Sequence, residues 1–226
     1  MCTMLGAMTV SLSACEGIFD GVYDTAPAEE LKDFGFIEVD DANYSGTIYV
    51  DATDYTKWIY VDLHEQVVDS TRIVDESGAE IPLGESGVLP QSWDFAIHRY
   101  DAKTNDGAVL ESGSTGFDVL ISAGHIPEGT YVTDEWTTDR ITIDMSGMMQ
   151  GNIKYAASNY NSVLSSWLDV DTSTMPPIYS LSNKVYIVRL KDGTHAALKL
   201  VDYRNSNMDK GFMKIEYIYP FENVIE

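Results

Sequence analysis

From Glu16 to the C-terminus the sequence contains no cysteine; its two cysteines are Cys2 and Cys15. The body therefore has no disulfide scaffold, no thiolate metal site and no cysteine nucleophile. Cations are scarce as well, with 14 Lys and Arg against 36 Asp and Glu, a net charge of -22. Such a chain repels phosphate backbones and anionic lipid surfaces, which excludes nucleic acid as a partner and basic patches as a means of membrane contact. Beyond the N-terminal segment no apolar run is long enough to span a bilayer. Glycines are scattered through turns, so no phosphate-cradling loop forms, and Gly-x-Ser-x-Gly is absent. His64, His98, His125 and His195 lie far apart in sequence, without metal-ligand spacing. His98 falls opposite the Trp93/Phe95/Ile97 face of its segment and reads as a hydrogen-bonded or solvated surface residue. With so many acids, neighbouring carboxylates are inevitable, and no pair stands out as a glycosidase pair. An enzyme is not expected.

Met4 to Leu12 is a short apolar run, too short to cross a membrane and of the size found in signal peptides. It leads into Leu12-Ser13-Ala14-Cys15. Two small residues after Leu and before Cys form the processing pattern of bacterial lipoproteins. The Cys15 thiol then receives the diacylglycerol, each buried acyl CH₂ contributing about 0.8 kcal/mol. The first cation is Lys32, so the basic residues that normally precede the apolar run are missing and the true translation start is expected upstream. From Glu16 to Asp41 the chain is acidic and reads as a solvated tether. The expected division is a signal peptide over 1–14, the lipidated Cys15 and tether over 15–43, and one domain over 44–226.

Within that domain, aromatic and β-branched runs recur between turn residues. They include Thr47–Val50, Trp58–Leu63, Ser92–Arg99, Arg140–Asp144 and Phe212–Tyr219. Asn183–Leu190 and His195–Val201, separated by Lys191-Asp192-Gly193-Thr194, read as a hairpin whose Asp-Gly supplies the positive φ the turn needs. One short helix is expected over Asn159–Leu168. The fold class is all-β, mostly antiparallel, a single domain with few short helices.

Methionine placement is unusual. Asp144-Met145-Ser-Gly-Met148-Met149-Gln-Gly and Thr172-Ser-Thr-Met175-Pro-Pro put thioethers in Gly-, Ser- and Pro-rich loops rather than in periodic apolar runs. A single Met is by default core packing. A loop Met beside Gly or Pro fits that default poorly, and a neutral thioether is a soft ligand for haem iron or copper(I).

Several segments, taken together and in order, resemble the HmuY haemophore family of Bacteroidetes. They are Asp51–Tyr60, Trp93–Tyr100, Asp139–Thr142, Tyr179–Arg189, Asp192-Gly193, Lys199–Tyr203 and Lys214–Pro220. The resemblance covers about Thr47 to Pro220. It implies an all-β, outer-membrane, surface-exposed lipoprotein. Such a protein takes haem (iron protoporphyrin IX) from host haemoproteins or other carriers and passes it to a TonB-dependent outer-membrane receptor. The family's founding type holds iron between two His residues on two loops. Here those loops fall at Met145–Gln150 and between Trp167 and Tyr179, and neither contains His. Relatives with Met in these loops make Met148 and Met175 the expected axial ligands, followed by Met149 and then Met145. Trp136, Tyr155 and Trp167 are the expected pocket walls, and the propionates are expected either to point to water or to meet a local cation such as Lys154 or Arg140. The alternative is a surface lipoprotein that binds a glycan or a partner protein through its Tyr and Trp residues.

Overall fold

In the computed structural model, residues 34–72 and 89–225 are described; Cys2, Cys15 and the apolar run lie outside them. The described residues belong to one compact unit, Asp33–Glu226. Its strands are β1 (Phe36–Asp40), β2 (Ser45–Asp51), β3 (Lys57–Asp62), β4 (Val67–Arg72), β5 (Phe95–His98), β6 (Asp101–Thr104), β7 (Ala108–Glu111), β8 (Val132–Thr133), β9 (Glu135–Gly147), β10 (Asn152–Tyr160), β11 (Leu168–Asp171), β12 (Ile178–Leu181), β13 (Tyr186–Arg189), β14 (His195–Arg204) and β15 (Lys210–Ile218). Among the described residues, two short helices, α1 (Phe117–Ala123) and α2 (Glu222–Ile225), and three 3₁₀ turns accompany the strands. The fold is all-β, and every strand pairing is antiparallel.

The strands form a seven-stranded sheet, ordered β1-β2-β15-β14-β13-β7-β8, and a four-stranded sheet, ordered β4-β3-β5-β6. The pairs β9–β10 and β11–β12 stand apart from both as separate two-stranded ribbons. The main core lies between the two sheets. Ile48, Val50, Leu198, Leu200, Met213 and Ile215 from one side meet Ile59, Val61, Phe95 and Ile97 from the other. Burying each such side chain contributes about 1.5–3 kcal/mol.

Both sheets are covered on their outer faces too. Val185, Ile187, Ala197 and Ile218 pack against Leu120 of α1 and against Phe221. Trp58, Tyr60 and Ala96 pack against Ile141 and Ala156 of the β9–β10 ribbon. The order of layers is therefore helices, seven-stranded sheet, four-stranded sheet, ribbon. A strand covered on both faces loses its polar-out alternation. That is why all four residues of β5 are buried, including His98, which the sequence had placed at the surface. His98 is 1% exposed, and its ring Nε2 lies 2.9 Å from the Tyr55 carbonyl as a donor. Burial holds the imidazole down at about 4, so it stays neutral at ordinary pH.

Two further differences have local causes. The helix expected over Asn159–Leu168 is instead the end of β10, a 3₁₀ turn at Leu164–Trp167 and the start of β11. Asn161 sets this turn by accepting the Leu164 N–H at 2.9 Å. The last residues of the segment read as tether form β1, which joins β2 in register from Phe36↔Tyr49 to Asp40↔Ser45. The Asp192-Gly193 hairpin forms as expected: Gly193 has φ +92 and its N–H bonds the Leu190 carbonyl at 3.0 Å.

Candidate functional site

The two ribbons outside the sheets carry the loop methionines. In β9–β10, Gly147 brings the strands so close that a Cβ there would run into the Asn152 carbonyl. A 3₁₀ turn, Met148–Gln150, follows, closed by Gly151 in the left-handed region with its N–H on the Met148 carbonyl. Met148 and Met149 sit on this turn, 40% and 83% exposed. Met145 lies just before it in β9, half-buried. In β11–β12 the tip runs from Thr172 to Pro177 and carries Met175, 76% exposed, before a cis Pro176. An exposed thioether contributes almost nothing to folding, so core packing does not account for these three side chains.

The tips are built alike. Asp144 Oδ1 accepts the Ser146 N–H at 2.8 Å, and Asp171 Oδ1 accepts the Ser173 N–H at 2.8 Å. Hydrogen bonds from Ser146, with help from Lys154, hold the Asp144 carboxyl down at about 2, and Ser173 lowers that of Asp171. Both tips thus carry a fixed negative charge two residues before a polar turn.

The roots differ. Asp134, just before β9, accepts the Thr104 N–H at 2.7 Å, the Thr104 hydroxyl at 2.9 Å and the Asn161 amide at 3.0 Å. One carboxylate therefore ties both ends of the long ribbon to β6. Beneath it lies Lys103, 4% exposed. Its ammonium stands 4.1 Å from the Trp58 ring centre, 5.1 Å from Tyr60 and 5.5 Å from Trp93, and donates to Tyr60 Oη at 3.3 Å. Burial pulls this group down to about 7 against the opposing pull of Asp134. The short ribbon rests on Trp167, which is fully buried and donates its indole N–H to the Tyr100 carbonyl at 2.7 Å. Tyr179 stacks on Tyr203, and Lys210 sits 3.7 Å over the Tyr179 ring.

Of the expected wall residues, Trp136 and Tyr155 are 62% and 37% exposed on the long ribbon. Each neighbours a buried residue, Thr137 and Ala156, so strand alternation turns both outward. Trp167 offers a ligand no surface: it belongs to the core that supports the short ribbon. The two expected propionate cations are already engaged. Lys154 is 3.2 Å from Asp144, and Arg140 Nε donates to Asp101 at 2.8 Å. Lys103, Asp134 and Asn161 carried no signal in the sequence, since the hydrogen bonds that place them here span 27 to 43 residues.

Comparisons with known proteins agree with this architecture. The family model described as "HmuY protein" matches residues 54–217. A Bacteroides vulgatus structure, described as a HmuY-like heme-binding protein, is 57% identical with a TM-score of 0.74, covering 84% of this chain and 99% of its own. A Bacteroides fragilis structure described as a lipoprotein is 52% identical with a TM-score of 0.76, covering 85% and 98%. The apo HmuY analog of Tannerella forsythia is 27% identical with a TM-score of 0.64, covering 76% and 94%. No curated protein matches. With more than half of its length matched by that model and a relative at this level of identity, the chain belongs to the HmuY family.

Proposed function

We propose that this protein is a haem carrier whose iron ligands are thioethers rather than imidazoles. The observation that carries the reading is the pair of exposed methionine-bearing tips, Met148 and Met175, on the two ribbons that belong to neither large sheet. Neither tip contains a histidine. The Bacteroides vulgatus relative described as heme-binding supports haem as the ligand. Met149 and then Met145 are the alternative donors on the first tip, and Trp136 and Tyr155 flank the porphyrin. Because Lys154 and Arg140 are paired with carboxylates, the propionates point toward water or exchange with those partners.

The donor set fixes the chemistry. A neutral sulfur favours ferrous over ferric iron and has no proton to gain near neutrality, so mild acid leaves it competent where histidine ligands would protonate. The protein binds and releases haem without transforming it. It is anchored through lipid on Cys15 at the outer-membrane surface, receives haem from haemoproteins or other carriers, and hands it to a TonB-dependent receptor.

The test is a haemin titration of wild type, Met148→Ala and Met175→Ala under reducing and oxidising conditions. The expected result is a sharp Soret band in reduced wild type that each substitution shifts and weakens. Unchanged spectra in both variants would sink the ligand assignment. Failure of wild type to bind haem, together with retention on a glycan array, would favour a glycan-binding module.

A further inference from the structure

Away from the ribbons, the end of the four-stranded sheet gathers a second set of donor atoms. Asp62 closes β3, His64 lies in the turn that follows, and Asp94 immediately precedes β5. Asp94 Oδ2 is 3.1 Å from His64 Nδ1, Asp62 Oδ1 is 4.0 Å from it, and all three atoms lie within 4.8 Å of one another. A tetrahedral ion with bonds of about 2.1 Å holds its ligand atoms roughly 3.4 Å apart, so small rotations close this triangle on a cation.

Two independent features indicate that a cation belongs there. The first is a buried pair of carboxylates that share one imidazole, although each also accepts a backbone N–H, Asp94 Oδ2 from Leu63 at 2.7 Å and Asp62 Oδ1 from Glu65 at 2.9 Å. Asp62 and Asp94 are 6% and 9% exposed. Among the described residues, the nearest cationic group to either is the single imidazole. Two carboxylates this close and this buried repel each other. The second is the far side of the ring. Nε2 lies 3.0 Å from Asp192 Oδ2 and 2.5 Å from Tyr219 Oη, both delivered by the seven-stranded sheet. A carboxylate taking the Nε2 proton directs the Nδ1 lone pair toward Asp62 and Asp94, as carboxylates do behind metal-binding histidines. The cluster opens into a solvent-facing cavity of about 390 Å³ that also holds Glu65 and Asp192. The cavity's one ammonium, Lys191, is tied to Asp106 at 2.7 Å.

We propose that Asp62, His64 and Asp94 form a binding site for a divalent cation of the zinc class, with Asp192 as the residue that positions the imidazole. One nitrogen and two carboxylate oxygens suit a borderline first-row ion, and the cavity leaves its fourth position to water. Too few oxygens converge for calcium. The ion joins the rim of the four-stranded sheet to the β13–β14 turn through His64. It is distinct from the ribbon tips and independent of the haem reading.

The test uses the full chain with Cys2→Ser and Cys15→Ser, because thiolates also take zinc. Protein stripped with chelator is titrated with zinc chloride alone by calorimetry, and with cobalt(II) by absorbance. The expected result is one site per chain with the intense visible bands of four-coordinate cobalt. It disappears in His64→Gln and in Asp94→Asn and weakens roughly tenfold in Asp192→Asn. Zinc should also raise the melting temperature of wild type but not of His64→Gln. Two results would overturn the proposal: identical isotherms for wild type and His64→Gln, or weak multi-site binding with only the pale spectrum of six-coordinate cobalt. If His64→Gln fails to fold, the Asp94→Asn titration and the wild-type cobalt spectrum decide the matter.

Discussion

The two methionine-tipped ribbons solve one problem in different ways. The long one, β9–β10, has register shifts at three places between Asn152 and Ser158. It lies along the four-stranded sheet with Ile141 and Ala156 in contact, and a carboxylate clamps its ends. The short one, β11–β12, has four pairs without a shift and stands on a buried tryptophan. Their tips nevertheless share a design, an Asp bonded to the N–H two residues on, followed by an exposed thioether. Tip chemistry and root energetics are therefore separable. The tip thioethers contribute little to folding, whereas tip placement resides in buried groups at the ribbon roots.

The strongest way to break that separation is at the short root. Trp167→Ala removes a fully buried indole and its hydrogen bond, and urea denaturation should show a loss of about 3–5 kcal/mol. A loss below 1 kcal/mol would mean that the short ribbon does not depend on this anchor. Next comes the long root. Asp134→Ala deletes three hydrogen bonds, with an expected cost of about 2–3 kcal/mol. Amide exchange should quicken over residues 135–160 more than over 168–181; equal quickening would show that the roots act as one.

A pH series sharpens the same contrast. Lys103 is held down at about 7 when folded. Between that value and the ordinary lysine range, the unfolded chain keeps a proton that the folded chain has released. Stability should therefore climb as pH rises through this window, and the climb should vanish in Lys103→Met. His98 acts at lower pH with the same sign. Between its ordinary value and about 4 the unfolded chain takes up a proton that the buried ring refuses, so stability falls as pH falls. Parallel profiles for wild type and Lys103→Met would remove the buried ammonium from the account. The smallest expected effect is at the tips. Met148→Ala and Met175→Ala should leave the unfolding midpoint within about 0.5 kcal/mol of wild type while altering the haem spectrum. A large stability loss in either would join tip to root.

How much of this was legible in the sequence follows from the range of each interaction. Local patterns sufficed for β2, β3 and β13 to β15, for the Asp192-Gly193 turn, and for the placement of Met148 and Met175 in loops. Layering was not legible. A ribbon from residues 135–160 covers the outer face of β3 and β5, so Trp58, Tyr60 and His98 are inside although alternation put His98 outside. Trp167 read as a wall because an aromatic residue beside a methionine-bearing loop carries no mark of its depth. Asp134 and Asn161 looked like ordinary polar loop residues, because what distinguishes them is a partner about 30 positions away.

The seven-stranded sheet has a consequence for how the chain reaches this state. β2 lies between β1 and β15, and its register with β15 runs from Asp51↔Phe212 to Ser45↔Ile218. Strands from opposite ends of the domain are thus immediate neighbours, so the sheet's interior cannot close until the last strand has been made. A chain stopped short of Lys210 leaves one edge of β2 unpaired, with Ile48 and Val50 lacking their cover from Met213 and Ile215. Loop-closure entropy of this size makes folding slow and nearly all-or-none. An elongating chain therefore stays open and threadable until β15 arrives, and a truncation that removes this strand should yield aggregation rather than a smaller domain.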